Sequence, residues 1–159
     1  MNRVKILKLI ASILICQGAG AIRALFTSPA ISTWYTTIQK PSFNPPNWIF
    51  APVWTLLFLM MGISLYFVWS KGWEDKKIKI AVFIFSAQIA LNIFWSLLFF
   101  GLQSPFYAFI EIIILWLAIL LTIISFYKIS KIATYLLLPY ILWVSFAAVL
   151  NFSILILNL

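Results

Sequence analysis

The chain has 159 residues, of which 65% are hydrophobic, 18% aromatic and 9% charged. A water-soluble domain carries about 45–50% apolar and ~25% charged residues, and a small globule has too much surface to hide this much apolar material; a soluble enzyme or a soluble DNA-binding domain is excluded. The net charge is +8, with no histidine and a single cysteine, Cys16, which excludes His-ligated zinc or haem, Ser-His-Asp and Cys-His catalysis and an intrachain disulfide.

A helix needs about 20 mostly apolar residues to cross a bilayer. The first such run covers roughly 6–25. Arg3, Lys5 and Lys8 precede it, and Ala19-Gly20-Ala21 resembles a signal-peptidase site. The apolar run continues through Leu25 and Phe26, past that cut, so a retained helix is expected. Bulky Ile15 before Cys16 counts against a lipoprotein. Gly18, Ala19, Gly20 and Ala21 allow a close backbone approach, which suits helix packing, a dimer seam or a cavity wall. From 26 to 47, Pro29, Pro41, Pro45 and Pro46 predict a structured loop and no helix.

The second run, 48–68, places Trp54, Phe58, Met61 and Leu65 on one side, with Trp48 and Trp69 near its ends as interfacial aromatics. The third, 78–100, sets Gln88 and Asn92 four apart on one face, and Trp95 continues the stripe. Polar groups are costly in lipid, so this stripe either faces a ligand or hydrogen-bonds neighbouring helices. The fourth run, 106–127, contains Glu111, the one acid inside any run. It reads as a proton-coupled or cation-binding carboxylate, or as a residue near the interface bonded to a neighbouring helix. Trp116 on the same run suits a lipid-facing position. The fifth, 133–157, carries Trp143, Ala147 and Asn151 in one stripe, four residues beyond Pro139. A buried proline frees a carbonyl and often kinks the helix; a kink beside an aromatic-and-small face suits a cavity, or plain packing.

These runs predict an all-α membrane protein, a five-transmembrane-helix bundle forming one domain over 1–159. A β-barrel would show short alternating segments instead. With five spans, the N-terminus, the second-to-third loop and the fourth-to-fifth loop share a side. That side carries Arg3, Lys5, Lys8, Lys71, Lys76, Lys77, Lys79, Lys128 and Lys131, nine in all, against Arg23 and Lys40 on the other. For a protein of the bacterial cell membrane, the asymmetry predicts a cytoplasmic N-terminus and the Pro-rich loop outside. It also accounts for the net charge without nucleic acid, the basic residues serving as anchors for anionic membrane lipid.

Residues 34–54 read W-Y-T-T-I-Q-K-P-S-F-N-P-P-N-W-I-F-A-P-V-W. Gly62 and Tyr66 follow, then Q-x-x-L-N-x-x-W at 88–95, Phe99-Phe100-Gly101, and P-Y-x-x-W-x-x-F-A-x-x-L-N at 139–151. The chain resembles the translocator protein family, also called tryptophan-rich sensory proteins or peripheral benzodiazepine receptors, over almost its whole length and in register. The resemblance implies a five-helix bundle with a pocket opening towards the first loop. It also implies ligands such as protoporphyrin IX and related tetrapyrroles, and benzodiazepine-type or isoquinoline compounds. Bacterial relatives are associated with light-dependent breakdown of the porphyrin; secondary transport of tetrapyrroles or other amphipathic molecules is the alternative. Carried over by motif, the ligand-binding residues are Tyr35, Trp54, Phe58, Asn92, Trp95, Trp143, Phe146, Ala147 and Leu150, with Ala24, Ala51, Tyr107, Ile110 and Glu111 as further members.

Aromatic walls suit the flat faces of a porphyrin, here Trp54, Trp95 and Trp143. Arg23 and Lys40, the basic residues on the Pro-loop side, are expected to meet its propionates. Trp54 and Trp143 are the candidate catalytic residues, as indole partners in photo-oxidation. No metal site and no resident cofactor are expected; metal-free porphyrin is the ligand that the residue set suits. A homodimer is compatible with the Gly/Ala run. Two departures stand out: Phe43 where many relatives have Trp, and Phe152-Ser153 after the final L-N where animal members have Tyr and a basic residue. Specific cholesterol binding is therefore not expected.

Overall fold

The computed structural model describes residues 3–159. Three of the long helices begin where the sequence supplies a cap or a proline. Asp75 caps one by accepting from the Lys77 backbone N–H at 2.8 Å. Ser130 accepts from the Ala133 N–H at another, and Pro105 opens a third, where its missing N–H costs nothing. The resulting elements are α1 (Arg3–Ile31), a one-turn α2 (Trp34–Thr37), and α3 (Phe50–Trp69), which follows a 3-10 turn at Asn47–Ile49. Next come α4 (Lys76–Ser96), which runs into a π-helical turn at Leu97–Gly101, then α5 (Pro105–Tyr127) and α6 (Lys131–Leu157). No strand occurs among the described residues. Five helices, α1 and α3 to α6, are long and apolar enough to cross a membrane.

α1 runs past the sequence-predicted end at 25 and includes Pro29, which sequence reasoning assigns to a loop. The proline removes a single backbone donor near the helix end, and the carbonyls of the last turn are capped by side chains. The Thr33 and Ser32 hydroxyls donate to the Pro29 carbonyl at 2.7 and 3.2 Å. At a rise of about 1.5 Å per residue, a helix of this length spans about 43 Å, more than the ~30 Å hydrocarbon core. Its final turns therefore reach the interface, where water tolerates a broken ladder.

The five long helices close a ring in the order α1, α3, α6, α5, α4. α1 and α3 approach closely because Gly62 has no side chain: a Cβ there would lie 2.8 Å from the Ile13 Cα. In the Gly/Ala run, Gly20 abuts the Phe58 ring, and Gly18 has nothing within 4 Å. The outward surface is aliphatic and aromatic, with Leu14, Leu25, Phe83 and Leu142 exposed as hydrocarbon requires. The polar groups are inside, among them Ser12, Arg23, Ser64, Gln88, Asn92, Glu111 and Asn151. Several stitch helices together. Ser64 donates to the Ala133 carbonyl at 2.7 Å, and the Trp116 indole donates to Ser145 at 2.8 Å. That bond turns Trp116 towards α6 and away from the lipid-facing position expected of it.

The Pro-rich loop is fastened at the end opposite Arg3. The Gln39 N–H donates to the Asn158 side-chain oxygen at 3.0 Å, and the Asn158 amide donates back to the Gln39 carbonyl at 2.9 Å. The loop, the α4–α5 connection and the end of α6 thus share one face of the bundle.

Candidate functional site

Beneath that loop lies an aromatic slot. α1 contributes Arg23 and Thr27, α2 contributes Tyr35, and α3 contributes Phe50 and Trp54. Trp95, Phe99 and Phe100 come from α4 and its π turn, and Trp143, Phe146, Ala147, Leu150 and Asn151 from α6. The π turn explains the pair of phenylalanines. The Leu102 N–H donates to the Leu97 carbonyl at 2.7 Å, a wider loop than an α-turn. Consecutive Phe99 and Phe100 both turn inward as a result, their rings edge to face at 4.8 Å. Trp95 stacks on Phe99 at 5.2 Å. Its indole donates to the Asn151 oxygen at 3.2 Å while the Asn151 amide donates to the Pro105 carbonyl at 2.8 Å. One asparagine therefore sets the relative position of α4, α5 and α6.

Arg23 is the charged member of the slot and is only 4% exposed. Its guanidinium carbon lies 3.8 Å from the Trp54 ring centre and 5.6 Å from that of Trp95. Its Nε has no hydrogen-bond partner. Indole faces attract a cation, the more so when it is desolvated, which accounts for a guanidinium held here without a partner at Nε. The slot itself is nearly filled, with about 30 Å³ free, room for a water or so.

A larger groove of about 460 Å³ runs between α1 and α3, within the roughly 300–1,000 Å³ typical of small-molecule sites. Gln17, Gly20, Ala21, Ala24, Ser28, Ala51, Thr55 and Phe58 line it, and it shares Arg23, Thr27, Phe50 and Trp54 with the slot. The two cavities meet at the Arg23–Trp54 stack.

The sequence-predicted residues divide among five places. Tyr35, Trp54, Trp95, Trp143, Phe146, Ala147, Leu150 and Arg23 meet at the slot, and Phe58, Ala24 and Ala51 at the groove. Tyr107 and Ile110 are corrected: at 61% and 49% exposure they lie on the outer face of α5. The inward positions of that helix include Ala108, Glu111, Ile112 and Leu115, and none of these lines either cavity. Asn92 and Glu111 also lie outside both linings. Asn92 donates to the Tyr140 hydroxyl at 2.9 Å, which donates to the Gln88 oxygen at 2.8 Å. Glu111 is buried on the inner face of α5.

Lys40 is corrected as well. Its ammonium donates to the Tyr35 and Ile38 carbonyls at 2.7 and 2.9 Å, bracing the loop, and it lines neither cavity. Tyr35 is held in the same brace by a 2.5 Å bond to Asn44, and burial pushes its phenol above the usual tyrosine range. Arg23 is placed inside the bundle and not on the loop-side surface. Sequence reasoning missed Thr27, Phe50, Phe99, Phe100 and Asn151 as lining residues. Phe50, Phe99, Phe100 and Asn151 lie within its quoted motifs; Thr27, one turn beyond Arg23, carried no signal.

The TspO/MBR family matches residues 12–157 of the chain. Tryptophan-rich protein TspO of Chlorobaculum tepidum is 47% identical over 158 residues, 99% of either chain. Tryptophan-rich protein TspO of Archaeoglobus fulgidus is 48% identical over 154 residues, 96% of this chain and 98% of its own. The human protein named Translocator protein is 34% identical over 122 residues, 76% of this chain and 72% of its own. With five membrane-length helices surrounding an indole-lined interior, the chain belongs to the TspO/MBR family of integral, multi-pass membrane proteins.

Proposed function

We propose that this chain binds a planar, acidic tetrapyrrole of the protoporphyrin IX type, and that Trp54 and Trp143 assist its oxidation under light. Arg23 carries the reading: a buried guanidinium with an unpartnered Nε, set against indole faces at the junction of two cavities. A porphyrin offers the complement, with a flat ring for the aromatic walls and carboxylates for a guanidinium fork. The slot is too small for such a ring as it stands. The ring would occupy the α1–α3 groove, and Phe50 and Trp54, which border both spaces, would move to admit its edge. Benzodiazepine-type and isoquinoline compounds would compete for the same walls. The excited pigment and dissolved oxygen supply the oxidising power; the protein holds the ring, excludes water and offers an oxidisable indole.

The cytoplasmic placement of the N-terminus belongs to the same reading. With Arg23 inside the bundle, nine basic residues face Lys40 alone across the membrane, and the excess marks the cytoplasmic side.

The test is a titration of purified protein with protoporphyrin IX in darkness, followed by illumination. Saturable quenching of tryptophan fluorescence at micromolar pigment, then light-dependent pigment loss faster than in protein-free detergent, is the expected result. Absence of quenching removes the reading. Quenching without accelerated loss leaves a binder. Uptake into sealed vesicles with the pigment intact points to translocation of the same ligand through the groove.

A further inference from the structure

The bundle interior holds a second set of polar groups that neither cavity uses. Glu111 on α5 is 4% exposed, and neither of its carboxyl oxygens has a hydrogen-bond partner. On neighbouring α4, Asn92 is fully buried and its side-chain oxygen is likewise unpartnered. Asn92 bonds the Tyr140 hydroxyl across α4 and α6, and α5, which carries Glu111 on its buried face, packs against both of those helices. The donors there are already committed. Asn92 donates to Tyr140, Tyr140 to Gln88, and the Gln88 amide points at the Met61 sulfur at 3.9 Å. The chain runs one way and leaves three acceptor oxygens without a hydrogen.

Buried acceptors of this kind require a donor, and an ionised carboxylate requires one most of all. A divalent metal suits the place poorly. Calcium takes 6–8 oxygen ligands, and these two side chains supply three. Besides Glu111 and Tyr140, the buried ionisable groups of the spanning helices among the described residues are Arg23 and Cys16 on α1, and the first already brings positive charge. α4 contributes Gln88 and Asn92 and α3 contributes Met61, none of which titrates.

We propose that Glu111 is a proton-binding site of the bundle interior, holding a neutral carboxyl group that donates towards the Asn92 side-chain oxygen. The proton supplies the missing first donor, and the chain then reads Glu111, Asn92, Tyr140, Gln88, Met61 without a break. The site takes a proton from water and returns it. It stands apart from the tetrapyrrole reading, because its readout needs no porphyrin.

The test uses the full chain reconstituted in phospholipid vesicles. Infrared spectroscopy is expected to show a protonated-carboxyl C=O stretch that shifts when the wild-type protein is made with isotope-labelled glutamate, a result independent of any variant's folding. The band disappears in Glu111→Gln and persists in Glu74→Gln, which alters the exposed glutamate of the α3–α4 connection. A lipid-soluble carbodiimide, which reacts with the acid form, should leave an adduct on Glu111 that mass spectrometry locates, and a water-soluble carbodiimide should not. No glutamate-dependent protonated band overturns the proposal. So does carbodiimide labelling that sodium ions suppress, which marks a metal-cation site.

Discussion

The guanidinium carbon of Arg23 stands 3.8 Å from the centre of the Trp54 ring, and this pair forms the wall between the slot and the α1–α3 groove. A molecule in the groove that is to reach Trp95 or Trp143 must displace the stack or bind against it. Arg23→Met keeps an unbranched apolar stem and removes the charge. Affinity for protoporphyrin IX is expected to fall at least tenfold, about 1.4 kcal/mol, while an uncharged isoquinoline ligand changes by less. Parallel titrations by tryptophan quenching check the difference. Arg23→Lys should fall between, because an ammonium keeps the charge but lacks the planar fork and its stacking face.

Trp54 and Trp143 both line the slot, from the neighbouring helices α3 and α6. Trp54→Phe and Trp143→Phe preserve aromatic area and remove the readily oxidised indole. Pigment binding in the dark is expected to change by less than about fivefold, roughly 1 kcal/mol. Light-dependent loss of porphyrin fluorescence should slow severalfold in at least one of the two. Unchanged decay in both variants eliminates the indoles as participants.

Gly62 and Gly20 separate two kinds of close approach. A Cβ at Gly62 meets the α1 backbone at Ile13 Cα, 2.8 Å away, whereas one at Gly20 meets the Phe58 ring at the same distance. Backbone cannot yield without moving a helix; a ring can swing. Gly62→Ala is expected to cost about 1–3 kcal/mol of stability and to lower the thermal transition in detergent. Gly20→Ala should cost less and shrink the groove, so that ligand affinity drops more than stability does.

Tyr35 gives the loop an alkaline limit. Burial disfavours its phenolate and holds the folded-state titration above the ordinary phenol value of 10.0. The folded loop then binds a proton that the loosened loop releases. Stability from this group is complete below pH ~10 and is lost as the pH rises beyond it. Protease accessibility of the loop around Gln39 should increase above that pH in the wild type, and Tyr35→Phe should remove the dependence. Because Tyr35→Phe also deletes the bond to Asn44, its loop is expected to be more accessible at neutral pH.

The five spans were legible because hydrocarbon demands long apolar runs, and each run shows plainly in the sequence. The end of α1 was not, since Pro29 signals a break, yet the helix continues past it and the Thr33 and Ser32 hydroxyls cap the Pro29 carbonyl at its end. The α6 stripe of Trp143, Ala147 and Asn151 faces the slot as helical spacing suggests. On α5 no quoted motif fixes the rotation, so Tyr107 and Ile110 are implied as lining only by the resemblance; the rotation follows from contacts with α4 and α6, and both residues face out. Topology puts Arg23 with Lys40 on the Pro-loop side, and a count of basic residues per side carries no information on depth in the bundle. The rings that stabilise Arg23, those of Trp54 and Trp95, come from two other helices and cannot be seen from its own neighbourhood. The π turn leaves no compositional mark at all, so the inward pairing of Phe99 and Phe100 emerges only in three dimensions.

Asn158 grips the backbone of Gln39 through both faces of its amide, one residue short of Leu159. A purification handle or fluorescent fusion joined at Leu159 would therefore tug on the cover of the slot, whereas one joined ahead of Arg3 would sit at the far end of the bundle. Assays run on tail-fused material would report a loosened entrance as though it were native behaviour.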